Sequence, residues 1–109
     1  MMVAAMAPID LDTTHYFGEG IYAKRMRLPA GHRAMTHKHN YDHLSVLAAG
    51  SASVDVDGEM AIYRAGDCIT IKAGLAHEIV AITDVVWFCI HATEETDPEK
   101  VDRVLIKGD

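Results

Sequence analysis

Four of the chain's seven histidines fall within one short stretch, GHRAMTHKHNYDHLSVLAAG at residues 31–50: His32, His37, His39 and His43. His37 and His39 are two apart, a spacing that puts both rings on one face of a strand, where side chains alternate with period two. His43 follows after Asn40-Tyr41-Asp42, and a tight turn there brings it alongside the pair. His77 stands far off, at the head of another β-type run after KAGLA. Neutral imidazole is the commonest protein ligand for first-row transition metals. The pattern therefore admits two readings: a row of exposed histidines on a polar edge, or a metal centre. The second requires a sheet that curls until residue 77 meets residues 37–43.

The remaining composition narrows the function classes. With 16 acidic residues against 10 Lys plus Arg, the chain carries a formal charge of −6 and offers no basic face to displace counterions from a nucleic acid. Lys24, Arg25, Arg27, Arg33 and Lys38 form a mild local excess, better suited to an acidic small molecule than to a duplex. No run approaches the length of a membrane span. The start, MMVAAMAPID, has neither the basic flank nor the full apolar segment of a signal peptide. Cys68 and Cys89 lie far apart and do not suggest a secreted disulfide framework. These features together predict a cytoplasmic protein that binds a small molecule, with no nucleic-acid or membrane partner.

The elements that must position the histidines are short and β-like. GIYAKRMRL (20–28), HLSVLAAG (43–50), SASVDVDG (51–58), EMAIYRAGD (59–67), CITIKAG (68–74), HEIVAI (77–82) and VVWFCIHAT (85–93) follow one another, punctuated by Gly and Asp. Such runs, with turn signals at short regular intervals, indicate a sandwich or barrel. Asp57-Gly58 is a hairpin turn, with Val54 and Val56 before it and Met60 and Ile62 expected to resume the apolar face. The tail departs from this pattern. Asp97 reads as a helix cap, Pro98 as the first helical position, and Val101, Val104 and Leu105 as an apolar stripe, predicting a short helix over about 98–106. The expected class is all-β, an antiparallel barrel with a short C-terminal helix, formed as a single domain over 1–109.

The wider frame is more specific. Gly31, His37-Lys38-His39, His43 and Gly50 are followed by Gly66, Lys72-Ala73-Gly74 and His77, and both the glycine and histidine spacings resemble the two motifs of the cupin family. The resemblance spans about residues 21 to 93, with motif 1 at about 31–50 and motif 2 at about 66–81. It implies a double-stranded β-helix, or jelly roll, with one divalent transition metal ion (Fe, Mn, Zn, Ni or Co) held by His37, His39, His43 and His77. It also implies a homodimer, since small cupins commonly pair through N-terminal strands. Three positions depart from the family pattern. His43 stands where Glu is usual, Lys72 where a proline is usual, and Ala81 where Asn is usual. A site of four imidazoles keeps the full 2+ charge of its ion, which strengthens Lewis acidity.

Parity then suggests what surrounds the metal. If His43 points inward, so do Ser45 and Leu47; if His77 does, so do Ile79 and Ala81. In the last strand, Trp87, Cys89 and His91 share one face and Val86, Phe88 and Ile90 the other, and either face can line the interior. If the first does, His91 is a candidate acid or base beside the metal. Tyr22, Arg25, Arg27, Met35 and Tyr41 are candidates for the mouth, with Ser45 and Trp87 as further lining residues. Asp42 and Glu78 flank ligands and are either acceptors for an imidazole N–H or plain surface carboxylates. His15 and His32 fit no spacing. The expectation is a metal-dependent enzyme, a dioxygenase or an isomerase, cyclase or lyase, acting on a small oxygen-rich or anionic molecule. The alternative is a non-catalytic binding or sensory module with a structural or vestigial metal.

Overall fold

The computed structural model describes residues 12–35 and 40–101. Nine strands occur among them: β1 (Thr14–Gly18), β2 (Ile21–Leu28), β3 (Arg33–Met35), β4 (His43–Ala49), β5 (Ser51–Val56), β6 (Glu59–Arg64), β7 (Cys68–Ile71), β8 (His77–Ala81) and β9 (Val85–Ala92). They form two antiparallel sheets, five strands in the order β1-β2-β9-β4-β7 and four in the order β3-β8-β5-β6. Residues from both sheets share one core, in which Leu28, Leu47, Val85 and Trp87 of the first meet Ala52, Val54, Ile79 and Ala81 of the second. The class is all-β, as the strand pattern predicts.

β1 and β3 are additions to the sequence reading. Neither carries an apolar alternation strong enough to announce it: β1 is Thr-His-Tyr-Phe-Gly and β3 is three residues long. The hairpin turn is where it was expected. Asp57 and Gly58 both have positive φ (53° and 86°), the backbone of a two-residue type I′ turn. Its consequence for side chains corrects the expected apolar face. The turn pairs Val56 with Glu59 and Val54 with Ala61, so Met60 and Ile62 fall opposite Asp55 and Ser53 on the outer face. Both are exposed, at 69% and 50%. A two-residue loop keeps the flanking pair on one side of the sheet, so the inward parity shifts from even to odd positions across the turn.

Gly50 shows why a motif glycine is required where one strand runs directly into the next. Its φ is +86°, and a Cβ there would run into the Asp84 carbonyl oxygen and come within 2.7 Å of Thr83 Oγ1. The 83–84 turn is itself bound to this corner: Thr83 Oγ1 accepts from Ser51 N at 3.0 Å, and Asp84 Oδ1 accepts from Ala30 N at 2.9 Å. After β9, Asp97 caps the start of a helical turn, its Oδ1 accepting from Glu99 N at 2.8 Å and its carbonyl accepting from Val101 N at 2.9 Å. Val101 is fully buried against Tyr22. The rest of the predicted helix lies outside the described residues. No helix among the described residues is long and apolar enough to cross a membrane.

Candidate metal centre

The inner faces of the strands change character along their length. From one end of β4 to the other the inward residues are His43, Ser45 and Leu47; β9, running antiparallel beside it, supplies His91, Cys89, Trp87 and Val85 in the same sense. β8 adds His77, Ile79 and Ala81 from the opposite sheet. All of these are buried. The chain thus fills one end of the interior with aliphatic side chains and Trp87, and the other with imidazoles.

His43 and His77, predicted as ligands, both lie at that polar end, 3% and 2% exposed. Their ring centres are 6.2 Å apart. An ion about 2.1 Å from a nitrogen of each ring would put two ring centres roughly 4.5 to 6.4 Å apart, so this pair fits shared coordination. The donor set fits as well, since buried imidazoles suit Zn, Fe, Ni or Co. His37 and His39 lie outside the described residues. Among the described residues, no group of three or more His, Cys, Asp or Glu side chains is gathered tightly enough to hold an ion.

The face of β9 left open by the sequence is settled: Trp87, Cys89 and His91 point inward, at 1%, 6% and 4% exposure, while Val86, Phe88 and Ile90 are only half-buried. His91 stacks on His43 with ring centres 4.4 Å apart and an interplanar angle of 30°. On its other side lies Tyr22, 5.9 Å away and almost fully buried. Tyr22 in turn shares a 2.7 Å hydrogen bond between its hydroxyl and His15 Nδ1. A continuous row of rings therefore runs from His77 through His43, His91 and Tyr22 to His15 near the sheet edge. His15 was assigned no role from spacing. What places it is the β1–β2 register, in which Phe17 faces Tyr22 and His15 faces Lys24, and a lone five-residue strand does not advertise that register.

The other predicted lining residues divide. Ser45 is fully buried, its Oγ 3.7 Å from Cys89 Sγ. Burial pushes the Cys89 thiol up from its ordinary value, opposed by the Ser45 hydroxyl, the Trp87 indole and the charge of Lys24. Trp87 belongs to the apolar core rather than to the imidazole end. Arg25 and Arg27 alternate with the inward residues of β2 and lie on the outer face of the sheet. Arg25 donates to Thr14 Oγ1 at 3.0 Å, and Arg27 pairs with Asp12 at 3.4 Å, beside a cleft of about 390 Å³ that Pro29, Ala49 and Asp84 also line. That cleft is at the end remote from His43, His77 and His91. Met35 and Tyr41 flank the imidazole end but are exposed, at 67% and 60%. Among the described members of the mild basic excess it is Lys24, opposite Cys89, that takes an inner-face position; Arg33 pairs outward with Glu78 at 3.0 Å.

Asp42 has a different task from either expected one. Its Oδ1 accepts from Ala73 N at 2.8 Å, and its other oxygen lies 3.7 Å from Lys72 Nζ. It thereby ties the approach to His43 to the turn that precedes His77. Lys72, one of the departures from the family pattern, takes part in that tie.

The geometry agrees with the likeness between sequences. The Cupin_2 family profile, described as a cupin domain, matches residues 24–91. The chain belongs to the cupin family. Solved structures of similar fold include a putative ethanolamine utilization protein (EutQ) of Salmonella typhimurium, at 23% identity over 76% of this chain and 69% of that one, with a TM-score of 0.65. KdgF from Halomonas sp. matches at 16% identity over 80% and 81%, with a TM-score of 0.68. The cupin domain of an XRE family transcriptional regulator from Enterobacter cloacae matches at 12% over 76% and 96%, TM-score 0.65. A search of curated proteins finds no relative of this cupin.

Proposed function

We propose that this cupin is a metal-dependent enzyme acting on a small oxygen-rich or anionic molecule, with His37, His39, His43 and His77 as the ligands of one divalent transition metal ion. The observation that carries this reading is the meeting of His43 and His77, from opposite sheets, at the buried polar end of the interior. When bound there, such an ion supplies Lewis acidity toward a carbonyl or enolate oxygen. The protein's own residues do the rest. His91, packed flat on His43, is placed to hold or move a proton beside the bound molecule. Lys24, on the inner face, adds positive charge suited to an anion. Aliphatic packing around Leu47 and Trp87 fills one end of the interior, so this reading requires water and substrate to reach the imidazoles from the other. The reaction class is dioxygenation with Fe or Mn, or isomerisation, cyclisation or lyase chemistry with Zn, Ni or Co. Two thiols on opposite faces of their sheet, Cys68 outward and Cys89 inward, suit a cytoplasmic setting.

The test is elemental analysis of protein purified without an affinity tag, followed by turnover assays on enol, diketone, catechol and uronate compounds with an oxygen electrode in parallel. One equivalent of metal together with turnover supports the reading. Metal without turnover would favour a binding or sensory module, and protein that takes up no divalent ion from any of the five metals would overturn the ligand assignment.

A further inference from the structure

Two polar groups on the inner face of the five-stranded sheet have no partner in the fold. Lys24 is half-buried there, and among the described residues it makes neither an ion pair nor a side-chain hydrogen bond. The Trp87 ring packs in the apolar core, yet its Nε1 is fully buried with no hydrogen-bond partner among the described residues. Unpaired buried donors are rare, and each calls for an explanation. Both groups converge on one place. Lys24 and Ser45 flank Cys89 from the two neighbouring strands, with Ser45 Oγ 3.7 Å from Cys89 Sγ. Burial raises the Cys89 thiol while Ser45, Trp87 and Lys24 oppose that rise, so all three surround the sulfur. The thiol is neutral near pH 7, and no inward residue of this sheet is Asp or Glu.

We infer that the Lys24 ammonium, the Ser45 hydroxyl and Trp87 Nε1 form a seat for the carboxylate of a small organic acid, and that such acids are the ligands of this cupin. The inference rests on the proposed function, since it specifies the anionic molecule of that same site. A carboxylate only accepts hydrogen bonds, and the seat offers an ammonium, a hydroxyl and an indole N–H as donors. Its single positive charge matches the one negative charge of a carboxylate better than a phosphate monoester, which carries up to two. A neutral carbonyl there would leave the ammonium uncompensated. The seat lies one strand alternation from His43 and His91, roughly 7 Å along β4 and β9. That separation is the length of a short carbon chain. The acid's carboxylate rests on the seat while an oxygen at its far end reaches the imidazoles. Lys24 thus selects the charge of the ligand, and Ser45 and Trp87 set how deep it enters.

Trp87 is the single tryptophan of the chain, so its own fluorescence reports occupancy of the seat. The full chain, purified without a tag and again after EDTA treatment and dialysis, is titrated with 4-oxopentanoate, its methyl ester and inorganic phosphate. The first probe carries a carboxylate and a ketone oxygen at opposite ends. It is expected to shift the emission and saturate with a Kd of about 1 mM or tighter, and the ester to bind at least about tenfold more weakly. Lys24→Met and Ser45→Ala should each weaken the acid about tenfold to a hundredfold, the effect of losing a hydrogen bond to a charged group. Arg27→Met, at the opposite end of the interior, should leave it unchanged. Equal binding of acid and ester, tighter binding of phosphate, wild-type affinity in Lys24→Met, or no saturable response up to about 50 mM acid would each overturn the inference. Should Lys24→Met fail to fold, Ser45→Ala and the ester decide. The dialysed protein separates the two readings. Lys24-dependent binding that survives loss of metal supports the seat whatever elemental analysis finds. One equivalent of metal with Lys24-independent binding removes the seat and leaves the metal centre standing.

Discussion

Replacing His77 with Ala separates two roles of one side chain, packing and coordination. The ring is 2% exposed at the head of β8, where Val56 pairs with it across the sheet. Truncation to Ala removes roughly 60 Å³ of buried side chain, which at about 24 cal/mol per Å³ of residual cavity costs about 1.5 kcal/mol. For a domain of this size that is a fall in Tm of about 6–10 °C without metal. The coordination term is larger. A wild-type protein saturated at a hundred times its Kd gains about 2.7 kcal/mol from the ion, or more than 10 °C, and loses it to a chelator. His77→Ala removes the proposed ligand that would join one sheet to the other, so metal affinity should drop by more than the roughly hundredfold typical of losing a mere supporting group. Differential scanning fluorimetry with and without EDTA, alongside elemental analysis, reads both terms. The wild type is expected to be sensitive to chelator and the variant insensitive, melting several degrees below the wild-type apoprotein. A variant that keeps one equivalent of metal, or whose melting still responds to EDTA, would refute the assignment of His77 as a ligand.

Three further outcomes are expected. Metal content, followed by dialysis and elemental analysis, should fall as the pH drops below about 6, because each ligating imidazole must be unprotonated and free imidazole gains its proton near pH 6.5. Burial raises the Cys89 pKa above its ordinary 9.0, so the native state keeps the thiol neutral at a pH where the unfolded chain has lost the proton. That contribution is fully present below about pH 9 and declines above it, and Cys89→Ala should flatten this part of the alkaline urea-denaturation profile; in the wild type, Cys68 should react with a thiol reagent long before Cys89. Gly50→Ala should cost about 2–4 kcal/mol in urea denaturation, since the position combines positive φ with a collision at the Asp84 carbonyl.

Much of the architecture was legible because glycines and imidazoles sit at fixed spacings along strands that announce themselves by composition. The inward parity of Ser45, Leu47, Ile79 and Ala81 followed from His43 and His77 alone, since alternation within a strand is a local property. What could not be read was anything set by register between strands. Arg25 and Arg27 are outward because Tyr22, Lys24, Met26 and Leu28 are inward, and only the pairing with β9 reveals which of the two sets faces the core. The misplaced Met60 and Ile62 have the same origin, a parity carried across a turn. Tyr22 was expected at the mouth and is instead buried between His91, Phe17 and Val101, a position fixed by β1 and by the turn after β9, neither of which its own strand encodes. The ligand pair His37 and His39 remains a reading of the sequence.

The lengthwise division of the interior has a consequence for how such a molecule changes over generations. Aliphatic packing is concentrated in the half around Leu47, Trp87, Ile79 and Val54, while the side chains with chemical potential occupy the other half. A lineage can exchange a reactive side chain at one pole without eroding the fold's foundation at the other. His43, where the family pattern usually has Glu, stands at that reactive pole, so exchanging it leaves the aliphatic packing around Leu47 and Trp87 untouched.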